Sequence, residues 1–336
     1  METKIDKEYT LEEAAEAIKN DFDKLPGDVR NELLFKLSDK ESGAGDAAYA
    51  VLVNFNKLPE DVRNELLFKL AGKESGALDV AFTLMGKFDK LPEDVRNLIF
   101  NLADKESIAV DVAEALWGNF DKLPEDVRNR LLLKLANIKS IDVTGMVIFI
   151  VADKFNSVPE HLRNLIFKFA DREDLARDVA SAIIYYFNNL PERMQNLVFK
   201  FVDREDIAEY IAEALSSNFE ELPEVVRNKL LLKLADMESA TETVAWTIAW
   251  NFKTLPENIR NLVFDDKFQS RLEEVVEQLG ESEDIDNFRV IILMLFIKNK
   301  EFQQKILHKL IKDREQNLRN PCQKYTSLYQ SGVIAS

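Results

Sequence analysis

Apolar and polar positions along this chain follow a pattern that returns eight times. Aligned on Pro26, Pro59, Pro92, Pro124, Pro159, Pro191, Pro223 and Pro256, successive units start 33, 33, 32, 35, 32, 32 and 33 residues apart. Each unit predicts two helices, A and B. Helix A opens at the proline, whose missing N–H and fixed φ suit a first turn. Acids follow it, as in Glu60–Asp61 and Glu93–Asp94, where they meet the positive end of the helix dipole. Three consecutive apolar rows then run through helix A, from Leu33, Leu34 and Phe35 to Leu262, Val263 and Phe264. Neighbouring residues of a helix point about 100° apart, so helix A is expected to be covered on several sides. Helix B ends at a Phe four residues before the next proline: Phe55, Phe88, Phe120, Phe155, Phe187, Phe219 and Phe252. Positions four and eight before that Phe are always apolar. Position seven before is Ala in every unit but the fourth, which has Ile148. This is a helical core stripe with a place for close contact. In the turn between A and B, Ser42, Ser75, Ser107, Asp174, Asp206 and Ser239 read as N-caps.

A repeat of this length, whose helix pairs each need a neighbour to hide an apolar flank, predicts a stacked array. The expected fold is all-α: a right-handed α-solenoid of about eight two-helix units within residues 1–265. A helix over 11–22 reads as an N-terminal half-repeat cap, with Thr10 and Glu13 as a capping box. After Asp265 the pattern decays. Helices at about 267–279, 285–298 and 301–317 are expected to form a C-terminal cap over 266–317, followed by a flexible tail over 318–336. Units 1, 2, 4 and 7 carry one extra residue (Glu32, Glu65, Arg130 and Lys229). Either helix A absorbs it in a wider turn, as a π-bulge, or the A helices start at different angles. Helix B of unit 4 is apolar almost all round. It reads as a kink over a deeper core or as a patch for a partner or for self-association.

The sequence PEDVRN at Pro59–Asn64, Pro92–Asn97 and Pro124–Asn129, opening an A helix ahead of an antiparallel B helix, resembles the HEAT and armadillo-like repeat family. The resemblance covers roughly residues 11–265. It implies a scaffold that binds proteins or peptides along one face. The close likeness of units 1–4 fits recent duplication or a designed consensus.

Charge narrows the partner. The net charge of -16 argues against an electrostatic grip on nucleic acid or an anionic membrane. A basic run from Lys298 to Lys324 reads as a solvated helix or a local anion-binding patch. The one cysteine, Cys322, excludes an internal disulfide and fits the cytoplasm. No secretory h-region opens the chain, and the apolar runs at Val143–Ala152 and Val290–Ile297 fall short of the roughly 20 residues of a membrane span. HExxH, CxxC, GxSxG and P-loop motifs are missing, and His161 and His308 lie far apart. No catalytic, metal or cofactor site is expected, and the chain is read as a non-enzyme.

Three rows remain. Asn31, Asn64, Asn97, Asn129, Asn164, Asn196, Asn228 and Asn261 occupy one position without exception and are expected to tie helix A to the adjoining loop. The preceding Arg row, broken by Gln195, reads as a ladder to carboxylates such as Asp39, Asp104, Asp171, Asp203 and Asp236, or as a phosphate track. The third row varies. Nine, six and two residues before the helix B Phe lie on one face, and they include acids together with aromatic residues. Either they form a recognition surface or they drift on a solvated face. The candidates for partner contact are Tyr49, Phe82, Glu114, Trp117, Phe149, Tyr185, Glu213, Trp246 and Trp250. The leading reading is a scaffold for a protein or peptide, a basic one by charge. The alternatives are a glycosylase-like repeat enzyme, which needs a cationic groove, and the ligand-sensing arm of a larger NTPase complex.

Overall fold

The computed structural model describes residues 9–279, 292–294 and 296–308. The helices expected at 285–298 and 301–317 lie partly outside these residues, and the 318–336 tail wholly so. The described residues are helical and contain no strand. Their contacts cluster into two compact units that meet between Val179 and Ala180.

In the first unit the helices are α1 (Leu11–Asp21), α2 (Gly27–Asp39), α3 (Glu41–Asn54), α4 (Glu60–Leu70), α5 (Ala77–Gly86), α6 (Glu93–Leu102), α7 (Ala109–Asn119), α8 (Glu125–Leu135), α9 (Ile141–Asp153), α10 (Glu160–Arg163) and α11 (Leu165–Ala170). Helix α12 (Ala176–Tyr185) runs through the boundary. In the second unit come α13 (Glu192–Gln195), α14 (Val198–Phe201), α15 (Glu205–Ser217), α16 (Glu224–Leu234), α17 (Thr241–Asn251), α18 (Glu257–Arg260) and α19 (Asp266–Leu279). The A helices are thus α2, α4, α6, α8, α10 with α11, α13 with α14, α16 and α18. The B helices are α3, α5, α7, α9, α12, α15 and α17.

Packing follows the repeat. Within the first unit α3 packs on α5, α5 on α7 and α7 on α9, while α2 packs on α4 and α4 on α6. Within the second, α15 packs on α17 and α17 on α19. The stripe marked by the B-helix periodicity is the core: Ala48, Ala81, Ala113, Ile148, Ala180, Ala212 and Ala245 are all at most 1% exposed. The middle apolar row of helix A, from Leu34 and Leu67 to Leu231 and Val263, is equally buried. Each such leucine contributes about 1.5–3 kcal/mol on burial. The third row is not fully covered: Phe68, Leu133 and Leu232 are exposed. Long cations from the following repeat shield others, Lys69 over Phe35, Arg130 over Phe100 and Lys229 over Phe199. The extra residues Arg130 and Lys229 thereby acquire a use.

Several local expectations are corrected. The irregularity tied to unit length falls in the shorter repeats. The longer ones keep unbroken A helices (α2, α4, α8, α16), and no π-turn occurs among the described residues. In three of the shorter repeats helix A breaks, between α10 and α11, between α13 and α14, and after α18, where Asn261–Phe264 turns 3-10. The six Ser and Asp residues of the A–B turn do not cap helix B. Its first turns are preceded by Lys40, Gly76, Ile108, Arg204 and Ala240, with no side-chain cap. Ser75 and Ser239 instead clasp the repeat before. Ser75 donates its N–H to Glu41 Oε1 (2.8 Å) and its hydroxyl to the Glu41 carbonyl (2.6 Å). Ser239 does the same to Glu205, at 2.6 and 2.9 Å. Asp174 and Asp206 are held by the forks of Arg172 and Arg204 two residues earlier. Among the described caps, Ser140 is the one side chain that caps a B helix, α9. The Thr10–Glu13 capping box is present at α1.

The arginine row does not form a carboxylate ladder. Arg30, Arg63, Arg96, Arg128, Arg163, Arg227 and Arg260 each lie 4.4–5.4 Å from the ring centre of the Phe eight residues earlier. This is a cation–π contact between helix A of one unit and the Phe that closes the helix before it. In two of the shorter repeats Nε also donates to a loop carbonyl, Arg96 to Leu91 (2.6 Å) and Arg163 to Val158 (2.7 Å). Gln195, the one departure, sends its amide to the carbonyls of Phe187 and Leu190 at 2.8 and 2.9 Å. The inter-repeat ladder exists, but lysine builds it: Asp39 pairs with Lys69 (2.5 Å), Asp104 with Lys134, and Asp203 with Lys233 (2.5 Å). The asparagine row makes no tie. Asn31, Asn64, Asn129 and Asn228 bury Oδ1 without a partner, beside equally unpartnered Nε atoms of Arg30, Arg63, Arg128 and Arg227. Asn97, Asn164, Asn196 and Asn261 are exposed. We have no physical account of that invariance.

At the C-terminal end, Gln269 is buried on α19. Its amide donates to the carbonyls of Val263 and Phe296 and its oxygen accepts from Lys298 N–H (2.7 Å). Phe296 also tilts against Phe252 and Phe264. No helix among the described residues is long and apolar enough to cross a membrane.

Candidate functional site

Apart from the buried Thr243, the variable positions are exposed or half-buried, on the side of the B helices opposite the buried alanine stripe. What distinguishes this side is charge. The A helices mix signs, with acids in the first turn and Arg or Lys further along. The seven B helices carry Glu41 and Asp46 (α3), Asp79 (α5), Asp111 and Glu114 (α7), Asp142 and Asp153 (α9), Asp178 (α12), Glu205, Asp206, Glu209 and Glu213 (α15) and Glu242 (α17). Against these stands a single cation, Arg177. Some of these acids serve the fold, as Glu41 and Glu205 do through their serines. Among the described residues Asp46, Asp79, Asp111, Glu114, Glu209 and Glu213 form no ion pair. Burial pushes the carboxyls of Asp79, Asp111 and Asp178 upward; Glu114 adds to the shift at Asp111, while Arg177 opposes it at Asp178. Desolvated acid kept unpaired in this way works against stability.

In the first unit the aromatic candidates occupy the seams between B helices. Phe82 of α5 lies over Gly118 of α7, where a Cβ would stand 3.0 Å from the ring. Trp117 of α7 donates Nε1–H to Asp153 Oδ2 of α9 (2.8 Å) and tilts against Phe149 with ring centres 6.5 Å apart. All three rings are half-buried, so they are part wall and part surface. Glu114 is exposed between them. Tyr49 stands apart, 58% exposed. With Asp46 and Val53 it lines a groove of about 720 Å³ bordered by Ile18 of α1, Phe22 just after that helix and Ala50 of α3. Lys24 and Lys57 neutralise Asp21 and Asp23 at its rim.

In the second unit, Tyr185 at the end of α12 and Glu213 on α15 are exposed. Trp246 and Trp250, one turn apart on α17, stack with ring centres 5.7 Å apart and planes 24° apart. Trp250 is 69% exposed, and it borders a groove of about 710 Å³ with Phe219, Glu220, Arg227 and Lys253. Arg227 is already committed there, lying on Phe219 and donating to its carbonyl.

The nine candidates therefore form no single constellation. The structure brings Trp117 and Phe149 together, and separately Trp246 and Trp250. Two contributors were missed. Asp153 holds Trp117 in place, and α1 with Phe22 borders the groove at Tyr49. Asp153 sits at a variable position, and Ile18 and Phe22 match the B-helix core register, so both carried a signal. Among the described residues, no cluster of His, Cys, Asp and Glu is arranged to hold a metal ion. Comparison with family models, with curated proteins and with solved structures finds no match to this chain.

Proposed function

We propose that the chain is a right-handed, HEAT-like α-solenoid acting as a non-enzymatic scaffold, and that the acidic outer sides of its B helices bind basic protein segments. The observation that carries this reading is the segregation of charge: acid gathers on the B helices, while the cations of the A helices are spent on Phe rings and inter-repeat aspartates. Aromatic groups set among unpaired acids suit a partner with lysine or arginine, since exposed charge steers encounter and aromatic contact adds affinity. A capping helix at the N-terminus and α19 with the segments packed on it at the other end fit an array whose ends must be closed. The lone cysteine fits a reducing, cytoplasmic setting.

The test compares two charge-matched variants by calorimetry with a synthetic peptide of mixed lysine and arginine. One combines Asp46→Asn, Glu114→Gln, Glu209→Gln and Glu213→Gln. The other combines Glu60→Gln, Glu93→Gln, Glu125→Gln and Glu224→Gln on the A helices. The first is expected to bind about tenfold more weakly, about 1.4 kcal/mol, with a flatter salt dependence. The second should stay near wild type. Equal losses in both would mean that only bulk charge is being read, and the surface assignment would fall.

A further inference from the structure

We infer that the stacked Trp246–Trp250 pair with Glu213 is a seat for a single arginine side chain of such a partner. This rests on the proposed function and names its sharpest contact. Two observations and one inference from the repeat register point to one spot. First, Trp250 offers an exposed indole backed by a second indole at stacking distance, which fixes the ring and spares the ordering loss of a lone surface tryptophan. Second, the repeat register brings a carboxylate to it. In the first unit the residue six before the helix B Phe, Phe82, lies against the residue two before the next helix B Phe, Gly118. In the second unit the corresponding residues are Glu213 on α15 and Trp250 on α17, and these helices pack together. Third, α15 and α17 carry Glu205, Asp206, Glu209, Glu213 and Glu242 and no Lys or Arg, so nothing on either helix competes for the site.

Guanidinium fits this combination better than ammonium. It is planar, so it lies flat on an indole while its edge donates two hydrogen bonds to a carboxylate, and it is more weakly hydrated. A lysine ammonium can take the ring or the carboxylate, but it has no flat face to share between them. The neighbouring groove beyond Trp250 gives room for the backbone that carries the arginine.

The chain has three tryptophans, so Trp117→Phe leaves fluorescence reporting this pair alone. In that background, a peptide of alternating arginine and serine is titrated against matched lysine–serine and glutamate–serine peptides. The arginine peptide should perturb the emission and bind several-fold more tightly than the lysine peptide, and the glutamate peptide should not bind. Trp250→Ala and, separately, Glu213→Gln should each weaken arginine binding about tenfold, with helical circular dichroism unchanged. Should Trp250→Ala disturb folding, Glu213→Gln alone decides. Unchanged affinity in Glu213→Gln, or equal binding of arginine and lysine peptides, overturns the arginine seat. The broader reading survives that result if the combined B-helix variant still loses affinity. If wild type binds neither basic peptide, both fall.

Discussion

Arg96 and Arg163 each have two tasks that can be separated by substitution. Each lies on a phenylalanine ring and also satisfies a loop carbonyl. Gln195 shows that an amide can do the second without the first. Arg96→Gln is therefore expected to lose less than Arg96→Ala, about 0.5 against about 1–2 kcal/mol in urea unfolding. An equal loss would assign all of the effect to the ring. The half-buried acids make a second residue-scale claim. A carboxyl whose pKa is raised by burial, as at Asp79, Asp111 and Asp178, holds its proton more tightly folded than unfolded. Its ionisation at neutral pH thus opposes folding, and the opposition fades as pH falls to the ordinary carboxylate range near about 4. Asp39, Asp174 and Asp206, lowered by Lys69, Arg172 and Arg204, act the other way and lose their contribution as pH falls through their lowered pKa values. Asp111→Asn should raise the melting temperature at pH 7 by about 1–2 °C and do nothing below about pH 4. A stabilisation that persists in acid would show that burial of charge is not its cause.

At the scale of the helix, seams between B helices depend on what faces a small residue. Gly118→Ala places a methyl against the Phe82 ring, and that clash should cancel the gain of about 1 kcal/mol that alanine otherwise has over glycine in a helix. Phe82→Leu in the same chain should recover most of it, and a double-mutant cycle by chemical unfolding measures that coupling. Recovery failing, the ring is not what the methyl meets. The helices and their buried rows were legible because each unit repeats the same local trial. What the pattern could not show was which partner a polar residue takes when two are within reach. Ser75 could cap its own helix or reach Glu41, 34 residues back, and spacing within one unit does not distinguish these. The arginine row was read as charge seeking charge, because its aromatic partner lies eight residues earlier across a turn. The extra residue in four units was expected to disturb helix A. The four longer A helices stay unbroken and three of the shorter ones break, and the loop bond is not the cause, since Arg96 donates to the Leu91 carbonyl from an unbroken α6.

Over the whole chain, the candidate surface was legible as a face but not as a set of contacts. Of the aromatic candidates at varying positions, Tyr49, Tyr185 and Trp250 are exposed, while Trp246 is half-buried. Variation among the repeats could not show that Phe82, Trp117 and Phe149 are wedged into seams, since only the neighbouring helix decides that. The same nearest-neighbour logic predicts how stability is distributed. Gln269 is the buried polar residue that joins α19 to the segment around Phe296, through three hydrogen bonds to backbone groups. Gln269→Leu keeps much of the volume but leaves those backbone groups unpaired, a loss of about 2–4 kcal/mol. Because α19 packs on α17, and α17 on α15 and α16, hydrogen exchange should quicken most in α19, less in α17, and least in α15. Helices α3, α5 and α7, which belong to the other compact unit, should keep wild-type protection. A uniform loss of protection from α3 to α19 would show instead that the repeats open together as one cooperative body.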